Sequence, residues 1–240
     1  MPTELENEGD PRQRVKSAYD QIGSHFDQLR PASWVFVKEW LSEKSKSLTN
    51  NLSNQLLIAG CGGGRHVRLA LESGFTVTGL DISEVMIEAA SQSTSKIEFK
   101  LEPEWIISDI CEIPRGDSTF ENTLAVAILH HLPPKFSKIA LVELARVMKP
   151  GGQLLLSCWG PEVGQIRKGK NVELGSKEDP DGVGDVWVVP WTLENGNIVD
   201  RWYHLPTLEK RIEQWSSLEG LNLEKAYTDG QNQVIIYSKI

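Results

Sequence analysis

The sequence has few cysteines and no long apolar run. Its three cysteines, Cys61, Cys111 and Cys158, lie far apart without metal-ligand spacing, which predicts reduced thiols in a cytoplasmic protein and disfavours a zinc site of its own. No apolar run approaches the length of a membrane span, so we expect no membrane partner. The polar, acidic residues 1–10 do not resemble a signal peptide and are expected to form a disordered lead-in.

The chain also lacks an excess of basic residues. Its net charge of −8 argues mildly against a large nucleic-acid footprint, which normally needs a basic face. The charge leaves room for a local basic patch, or for a partner that supplies positive charge. Two basic clusters would suit a nucleic-acid backbone or would simply be solvated. They are Arg12, Arg14 and Lys16 in one segment, and Arg167, Lys168 and Lys170 in another.

Two nucleotide-binding motifs are missing. The apolar residues 56–59 lead into glycines at 60, 62, 63 and 64, which predicts a buried strand and a strand-to-helix turn. A dinucleotide fold needs G-x-G-x-x-G, but Arg65 or Val67 stands where the third glycine belongs. The Gly-Lys-Ser/Thr of a phosphate-binding loop is absent as well. The pattern that is present, G-x-G-x-G, either holds a ligand through its backbone or forms an ordinary tight turn.

Apolar runs alternate with helix-forming segments through the middle of the chain. Strands are predicted at 56–59, 76–80, 105–107, 124–129 and 154–158, and helices at 65–73, 84–91 and 137–147. This alternation predicts a parallel sheet with helices on both faces and a ligand at the carboxyl ends of its strands. Before the sheet, helices are predicted at 11–29, capped by Asp10, and at 34–48. After it, a helix at 206–216 precedes an antiparallel hairpin around Asp229-Gly230.

The length and composition fit one domain with an elaboration. We expect residues 11–240 to form this domain, with the helices of 11–54 over the site and a ligand-binding core at 55–158. Residues 159–205 are expected to form a polar loop and an aromatic insertion facing the substrate. Residues 206–240 are expected to close the sheet.

Two carboxylates follow the second and third predicted strands. Asp81 stands about 20 positions after Gly60, where it can accept both ribose hydroxyls of an adenosine, or cap the helix beginning near Ser83. Asp109 can accept the amine of an adenine while the backbone N–H of Ile110 meets a ring nitrogen, or it is a turn aspartate. With the glycine loop, these groups match the amino-acid end, ribose and base of one ligand.

Histidines and aromatic residues are concentrated after the fourth predicted strand. His130 and His131 lie either at the rim where such sheets carry their chemistry or on the surface before a Pro-Pro turn. A shared metal is disfavoured because adjacent side chains on an extended chain point apart. The aromatic residues either stack an extruded base or fill the core. They are Trp159, Trp187, Trp191, Trp202 and Tyr203.

Taken together, these residues resemble class I S-adenosylmethionine (SAM) methyltransferases, which implies a Rossmann-like α/β fold. That fold has a seven-stranded mixed sheet with helices on both faces and a closing β-hairpin. Further segments are similar to the eukaryotic tRNA wobble-uridine methyltransferases, which esterify 5-carboxymethyluridine in the anticodon. The similarity includes residues 18–30, 130–131, 151–153 and 157–159, and it is most specific in 185–191 and 201–205. It implies SAM as the cofactor, the tRNA anticodon loop as a partner and a small zinc-binding activator subunit.

The same resemblance implies roles for individual residues. Arg30 is the first candidate to hold the substrate carboxylate, and either His130 or His131, together with His204, is a further candidate donor. This carboxylate is already ionised at neutral pH, so the reaction needs no strong base. SAM would contact Gly60, Cys61, Gly62, Gly64, Asp81, Ile82, Asp109, Ile110 and Ala127. The substrate would contact Tyr19, Trp159, Asp185, Trp187, Trp191, Arg201, Tyr203 and His204.

The chain departs from the family pattern at three places. Ile58 replaces the usual acid of the first motif, Glu121 replaces an aspartate, and only residues 192–200 stand where a long charged insertion is common. Two other functions therefore stay open: a methyltransferase of quinones or small carboxylic acids, and a catalytically weak SAM-binding scaffold.

Overall fold

The computed structural model describes residues 9–23, 32–46, 54–163 and 186–240. Six α-helices lie in these ranges: α1 (Pro11–Ile22), α2 (Val35–Lys46), α3 (Arg65–Glu72), α4 (Glu84–Thr94), α5 (Pro134–Val147) and α6 (Leu208–Trp215). The strands are β1 (Gln55–Ala59), β2 (Thr76–Asp81), β3 (Glu104–Ile107), β4 (Phe120–Val126), β5 (Met148–Trp159), β6 (Val186–Thr192), β7 (Ile198–His204), β8 (Leu221–Asp229) and β9 (Asn232–Lys239).

Seven of the strands form one mixed sheet in the order β3-β2-β1-β4-β5-β9-β8. The first five run parallel, while β9 pairs antiparallel with β5 and β8 pairs antiparallel with β9. The hairpin between β8 and β9 turns at Gly230, whose φ of +59° suits glycine. The predicted sheet and its closing hairpin are confirmed.

Alternate residues of β1 point to opposite faces of this sheet, as the pleat requires. Leu57 and Ala59 belong to a core that includes the apolar side of α5 and Trp215 of α6. Leu56 and Ile58 belong to a second core built with α2, α3 and α4. Helices therefore cover both faces, as predicted, and none of the described helices is long and apolar enough to cross a membrane.

The aromatic segment 186–204 differs from the expected insertion. It forms a separate two-stranded antiparallel sheet in which β6 pairs with β7. Its β-branched and aromatic residues favour strand, and the backbone of Leu193 and Asn197 closes the turn at Gly196. Pro190 is tolerated because both strands of a two-stranded sheet are edges. This hairpin brings Tyr203 and Arg201 toward the carboxyl ends of the large sheet.

Two boundaries also differ from the expectations. The fourth strand ends at Val126, because Ala127 takes a φ of +57°, and residues Leu129–His131 form a 3-10 turn. His130 and His131 therefore follow the strand at a turn rather than ending it. Residues 150–152, expected as a turn, lie inside β5 as an irregularity where its pairing with β4 shifts register.

Gly152 permits that irregularity. A Cβ atom at this position would overlap the carbonyl oxygen of Glu121 on β4 and lie 2.9 Å from the carbonyl oxygen of Lys149. Because both neighbours are backbone atoms, neither can move without disturbing the sheet.

We expect Gly152→Ala to lower the free energy of unfolding by roughly 2 kcal/mol or more, because overpacking against backbone strains the β4–β5 pair. Chemical denaturation monitored by circular dichroism measures the change. Gly116→Ala is the matched control, since its Cβ would meet nothing closer than Thr119 Oγ1 at 3.9 Å. Equal stability of the two variants would contradict this role for Gly152.

Candidate active site

A cleft opens at the carboxyl ends of β1, β2 and β4. Its lining combines the glycine loop, the ends of the strands, α1 and the aromatic residues that follow β4 and β5. Among the predicted site residues, it brings together Tyr19, Gly60, Cys61, Gly62, Asp81, Ile82, Ala127, His130, His131, Trp159 and Tyr203. An adjoining pocket adds Asp109 and Ile110 and shares Gly60, Asp81 and Ile82 with the cleft.

The glycine loop forms the floor of the cleft. Gly60, Gly62 and Gly64 have φ values of +67°, +52° and +85°, which other residues adopt at a cost. A Cβ on Gly60 would lie 2.6 Å from Ile128 Cδ1, whereas a Cβ on Gly62 would meet no atom within 4 Å. Gly64 starts α3 and does not line the cleft. The open space at Gly62 is where a ligand can approach the backbone.

Asp81 fixes the glycine loop to the end of β2. Its Oδ2 accepts from the backbone N–H of Gly62 at 2.9 Å, and its Oδ1 accepts from that of Ser83 at 3.0 Å. Burial raises the pKa of the Asp81 carboxyl, although the N–H groups of Ser83 and Gly62 oppose this. The cap of α4 is Ser83, whose hydroxyl accepts from Met86 N, so Asp81 is not the helix cap. Each Asp81 oxygen retains a lone pair that can accept from a hydroxyl in the cleft.

Asp109 acts both in a turn and in an ion pair. Its Oδ1 accepts from Cys111 N at 2.8 Å, and its Oδ2 accepts from Arg12 Nη1 at 3.0 Å. Arg12 also pairs with Asp10 at 2.6 Å and thereby lowers the pKa of that carboxyl. Arg12 lies in the wall of the smaller pocket, where it joins α1 to the loop after β3.

The basic cluster at the start of α1 is therefore only partly solvated. Arg12 is paired with two carboxylates, and Lys16 pairs with Asp20 at 2.5 Å. Arg14 lies 5.4 Å from the ring of Trp202 on the hairpin. The second cluster, residues 167–170, lies outside the described residues.

His130 and His131 are buried, so the interpretation as a surface pair is wrong. His130 is 1% exposed, its Nδ1 accepts from Trp159 N at 3.1 Å, and its ring stacks on Trp159 with centroids 5.2 Å apart. Because Nδ1 accepts, the neutral ring carries its proton on Nε2. His131 Nε2 lies 3.0 Å from the Tyr19 hydroxyl. Tyr203 contacts both imidazoles, with centroids at 4.9 and 4.6 Å.

Arg201 places a buried cation beside this cluster. It is 2% exposed and lies over the rings of Trp191 and Tyr203, and its Nε donates to the carbonyl oxygen of Val189 at 3.3 Å. Its Nη1 has no hydrogen-bond partner, and within the described ranges Arg201 forms no salt bridge. A small pocket borders Arg201, Tyr19 and His131. A buried, incompletely satisfied guanidinium is suited to an anion.

Other predicted substrate residues shape the hairpin instead of lining the cleft. Trp187 packs against the cluster that contains Trp159 and Tyr203, and Trp191 packs against Ala18 and Val199. His204 is buried, and its carbonyl oxygen accepts from Arg211 Nη2 at 3.1 Å. Arg30 and Asp185 lie outside the described residues, so their roles stay predictions.

Sequence reasoning missed Trp34, Arg65 and His66, which also line the cleft. The guanidinium of Arg65 lies 4.4 Å from the ring centroid of Trp34, and the imidazole of His66 stacks on the same ring at 5.6 Å. His66 directly follows the start of α3, and its position after the glycine loop was an available signal. No such signal was available for Trp34, because this residue reaches the site only through long-range packing.

His66 is 6% exposed, and burial lowers the pKa of its imidazole well below its ordinary value of 6.5. The positive charges of Arg65 and Arg68 act in the same direction. In the folded protein the ring therefore stays neutral at a pH where an unfolded chain would protonate it.

We expect the free energy of unfolding to fall by about 1.4 kcal/mol more per pH unit below pH 6.5 in wild type than in His66→Gln. The sign follows because the unfolded state binds a proton there and the folded state does not. Urea denaturation at pH 7.5, 6.5 and 5.5 measures the difference. The other buried histidines are present in both proteins and cancel, so parallel pH dependences would contradict the neutral assignment of His66.

Two comparisons of sequence bear on this geometry. Residues 57–156 match a family model described as a methyltransferase domain. The chain is 32% identical over 149 residues to a tRNA (carboxymethyluridine(34)-5-O)-methyltransferase of Arabidopsis thaliana, covering 62% of this chain and 33% of that protein. It is 30% identical over 156 residues to a 27-O-demethylrifamycin SV methyltransferase of Amycolatopsis mediterranei, covering 59% of this chain and 57% of that protein. It thus spans between a third and just over half of these relatives.

Among solved structures, the fold is similar to that of a magnesium protoporphyrin IX methyltransferase from Synechocystis PCC 6803 with bound SAM. The two share 16% identity with a TM-score of 0.61, and the match covers 96% of this chain and 98% of that one. At this level of identity, the likeness concerns the fold.

Proposed function

We propose that this chain is a SAM-dependent methyltransferase and that it methylates the carboxylate of 5-carboxymethyluridine at the wobble position of tRNA. The match to a methyltransferase domain model supports the first part of the proposal. The assignment of a carboxylate substrate rests on Arg201, whose buried Nη1 has no hydrogen-bond partner and which lines a small pocket together with His131 and Tyr19. The identity of the nucleoside is supported by the similarity to the Arabidopsis enzyme, whose name contains it.

The residues of the cleft fit SAM. In this proposal the amino-acid end lies at Gly60–Gly62, where the space beside Gly62 is open, and the ribose hydroxyls donate to Asp81. The adenine occupies the adjoining pocket, with Asp109 and the backbone of Ile110 at its edge and Ile82 against its face. Arg12 closes the outer wall through Asp109. SAM supplies an electrophilic methyl group, which the surrounding residues must align with an acceptor.

Methylation of a carboxylate does not need a strong general base. A carboxylate is already ionised near neutral pH, so the protein has to position it and exclude water. Arg201 provides a planar donor that can grip a carboxylate, and Tyr19 with His131 supplies further polar groups beside it. The stacked rings of Trp159 and His130, with Tyr203 across them, form a wall against which a base can pack.

Because the chain has a net charge of −8, binding of RNA calls for positive charge from a partner. One edge of the sheet is suited to such a partner. The edge strand β3 has only four residues, and Ile107 on it is 52% exposed. Ile97 and Leu101, just before it, are also exposed. We propose that a small zinc-binding activator subunit adds a strand along β3, covers these apolar groups and contributes positive charge. We also place the protein in the cytoplasm, where its three buried, free cysteines stay reduced.

The direct test incubates the purified protein, with and without the candidate activator, with SAM and tRNA that carries the free acid at the wobble position. Mass spectrometry of the digested nucleosides should show the free acid converted to its methyl ester. Unmodified uridine at the same position is the control substrate, since it lacks the carboxylate. Methylation of both substrates, or of neither in the presence of the activator, would contradict the proposed reaction.

Arg201→Met should lower kcat/KM for this ester by roughly 10- to 100-fold, because a charge-assisted contact to the carboxylate is lost. SAM affinity measured by calorimetry should stay within about twofold, since Arg201 borders the substrate side. Arg14→Met is the matched control, because Arg14 is a less buried cation that lines the same small pocket. If Arg201→Met and Arg14→Met lose activity equally, Arg201 is not the carboxylate-binding group.

A second candidate is methylation of a small molecule, which the similarity to the rifamycin-type enzyme favours. The enclosed aromatic wall and Arg201 would accept a small carboxylic acid as well as a nucleoside. Turnover of such acids with no turnover of tRNA would support this alternative.

A further inference from the structure

The amino-acid end of the cleft is short of acceptors for an ammonium group. Ile58 is buried in the core against α2 and α3, so position 58 offers no polar group to the cleft. Of the described side chains that line the cleft, only Asp81 is a carboxylate, and the proposed function assigns its remaining lone pairs to the ribose hydroxyls. A ligand with an α-ammonium group therefore needs another acceptor near the glycine loop.

His66 has a suitable acceptor, the ring nitrogen Nε2. It lines the cleft two residues after Gly64, yet its Nε2 is buried and has no hydrogen-bond partner. A buried imidazole nitrogen without a hydrogen-bond partner costs free energy, unless a bound ligand donates a hydrogen bond to it. Arg65 lines the same part of the cleft, over the ring of Trp34.

We infer that His66 Nε2 accepts a hydrogen bond from the α-ammonium group of SAM, while Arg65 faces the α-carboxylate. This rests on the proposed use of SAM and deepens it by assigning the residues that recognise the amino-acid end. His66 is thus a cofactor-positioning residue, and it supplies an acceptor that Ile58 cannot.

The electrostatics of His66 agree with this assignment. A protonated imidazole would repel an ammonium group, whereas a neutral ring has one nitrogen that accepts. Burial and the charges of Arg65 and Arg68 keep the pKa of His66 low, so the neutral form prevails at physiological pH. Arg65, which lines the cleft, also favours the carboxylate of the ligand. The ring stack on Trp34 holds the imidazole plane in place.

The test compares three ligands by calorimetry: SAM, decarboxylated SAM and 5′-methylthioadenosine, which lacks the amino-acid end. His66→Phe keeps a ring against Trp34 but removes the acceptor, and His66→Gln keeps an amide oxygen that can reach a similar position. His66→Phe should weaken SAM and decarboxylated SAM about tenfold or more, and 5′-methylthioadenosine less than twofold. His66→Gln should recover at least part of the loss.

Three outcomes would overturn the inference. Unchanged SAM affinity in His66→Phe would show that Nε2 makes no such contact. An equal loss for 5′-methylthioadenosine would show that His66 only supports the packing of the cleft. A loss for SAM without one for decarboxylated SAM would move the contact to the carboxylate. If wild type binds none of the three ligands, the proposed function itself fails, and that result is separate from the variant's behaviour.

Discussion

The two backbone hydrogen bonds of the Asp81 carboxylate hold the cleft together. They join the glycine loop at Gly62 to the start of α4 at Ser83. Ser83 in turn donates through its hydroxyl to Asp20 Oδ1 of α1 at 2.6 Å. One buried carboxylate thus fixes the loop that approaches the ligand and, through Ser83, the helix that covers it. Ribose hydroxyls can donate to Asp81 without breaking the bonds to Gly62 and Ser83, because the carboxylate has further lone pairs.

A second set of hydrogen bonds, made by Arg211, fixes the part of the site where we place the substrate. Arg211 of α6 donates to the carbonyl oxygens of Trp159 and His204, so the ends of β5 and β7 are held side by side. That arrangement presses Tyr203 against His130 and Trp159. The histidines after β4 are consequently enclosed by rings from elements far apart in the chain. Positioning of a substrate there depends on the hairpin keeping its place on the large sheet.

The sequence predicted best what is encoded locally. The alternation of strands and helices, the glycine loop, and the acids Asp81 and Asp109 depend on short-range patterns, and the structure brings them to one cleft. The hairpin of β6 and β7 was missed because its aromatic residues resemble a core or an insertion equally well. The pairing of Arg12 with Asp109 and the burial of His130 depend on contacts between distant segments. No periodicity in a single sequence reports such contacts.

Arg201 of β7 and Arg211 of α6 are both buried, but they differ in whether the chain itself satisfies their guanidinium groups. Arg211 satisfies its guanidinium with Gln233 and two carbonyl oxygens, so it needs nothing from outside the chain. Arg201 is equally buried, but its Nη1 lacks a partner beside a pocket. Desolvating a cation is costly, and folding energy alone gives no reason to retain an unpaired one. An anionic substrate supplies that reason, which is why the carboxylate is assigned to Arg201 and not to its better-bonded neighbour.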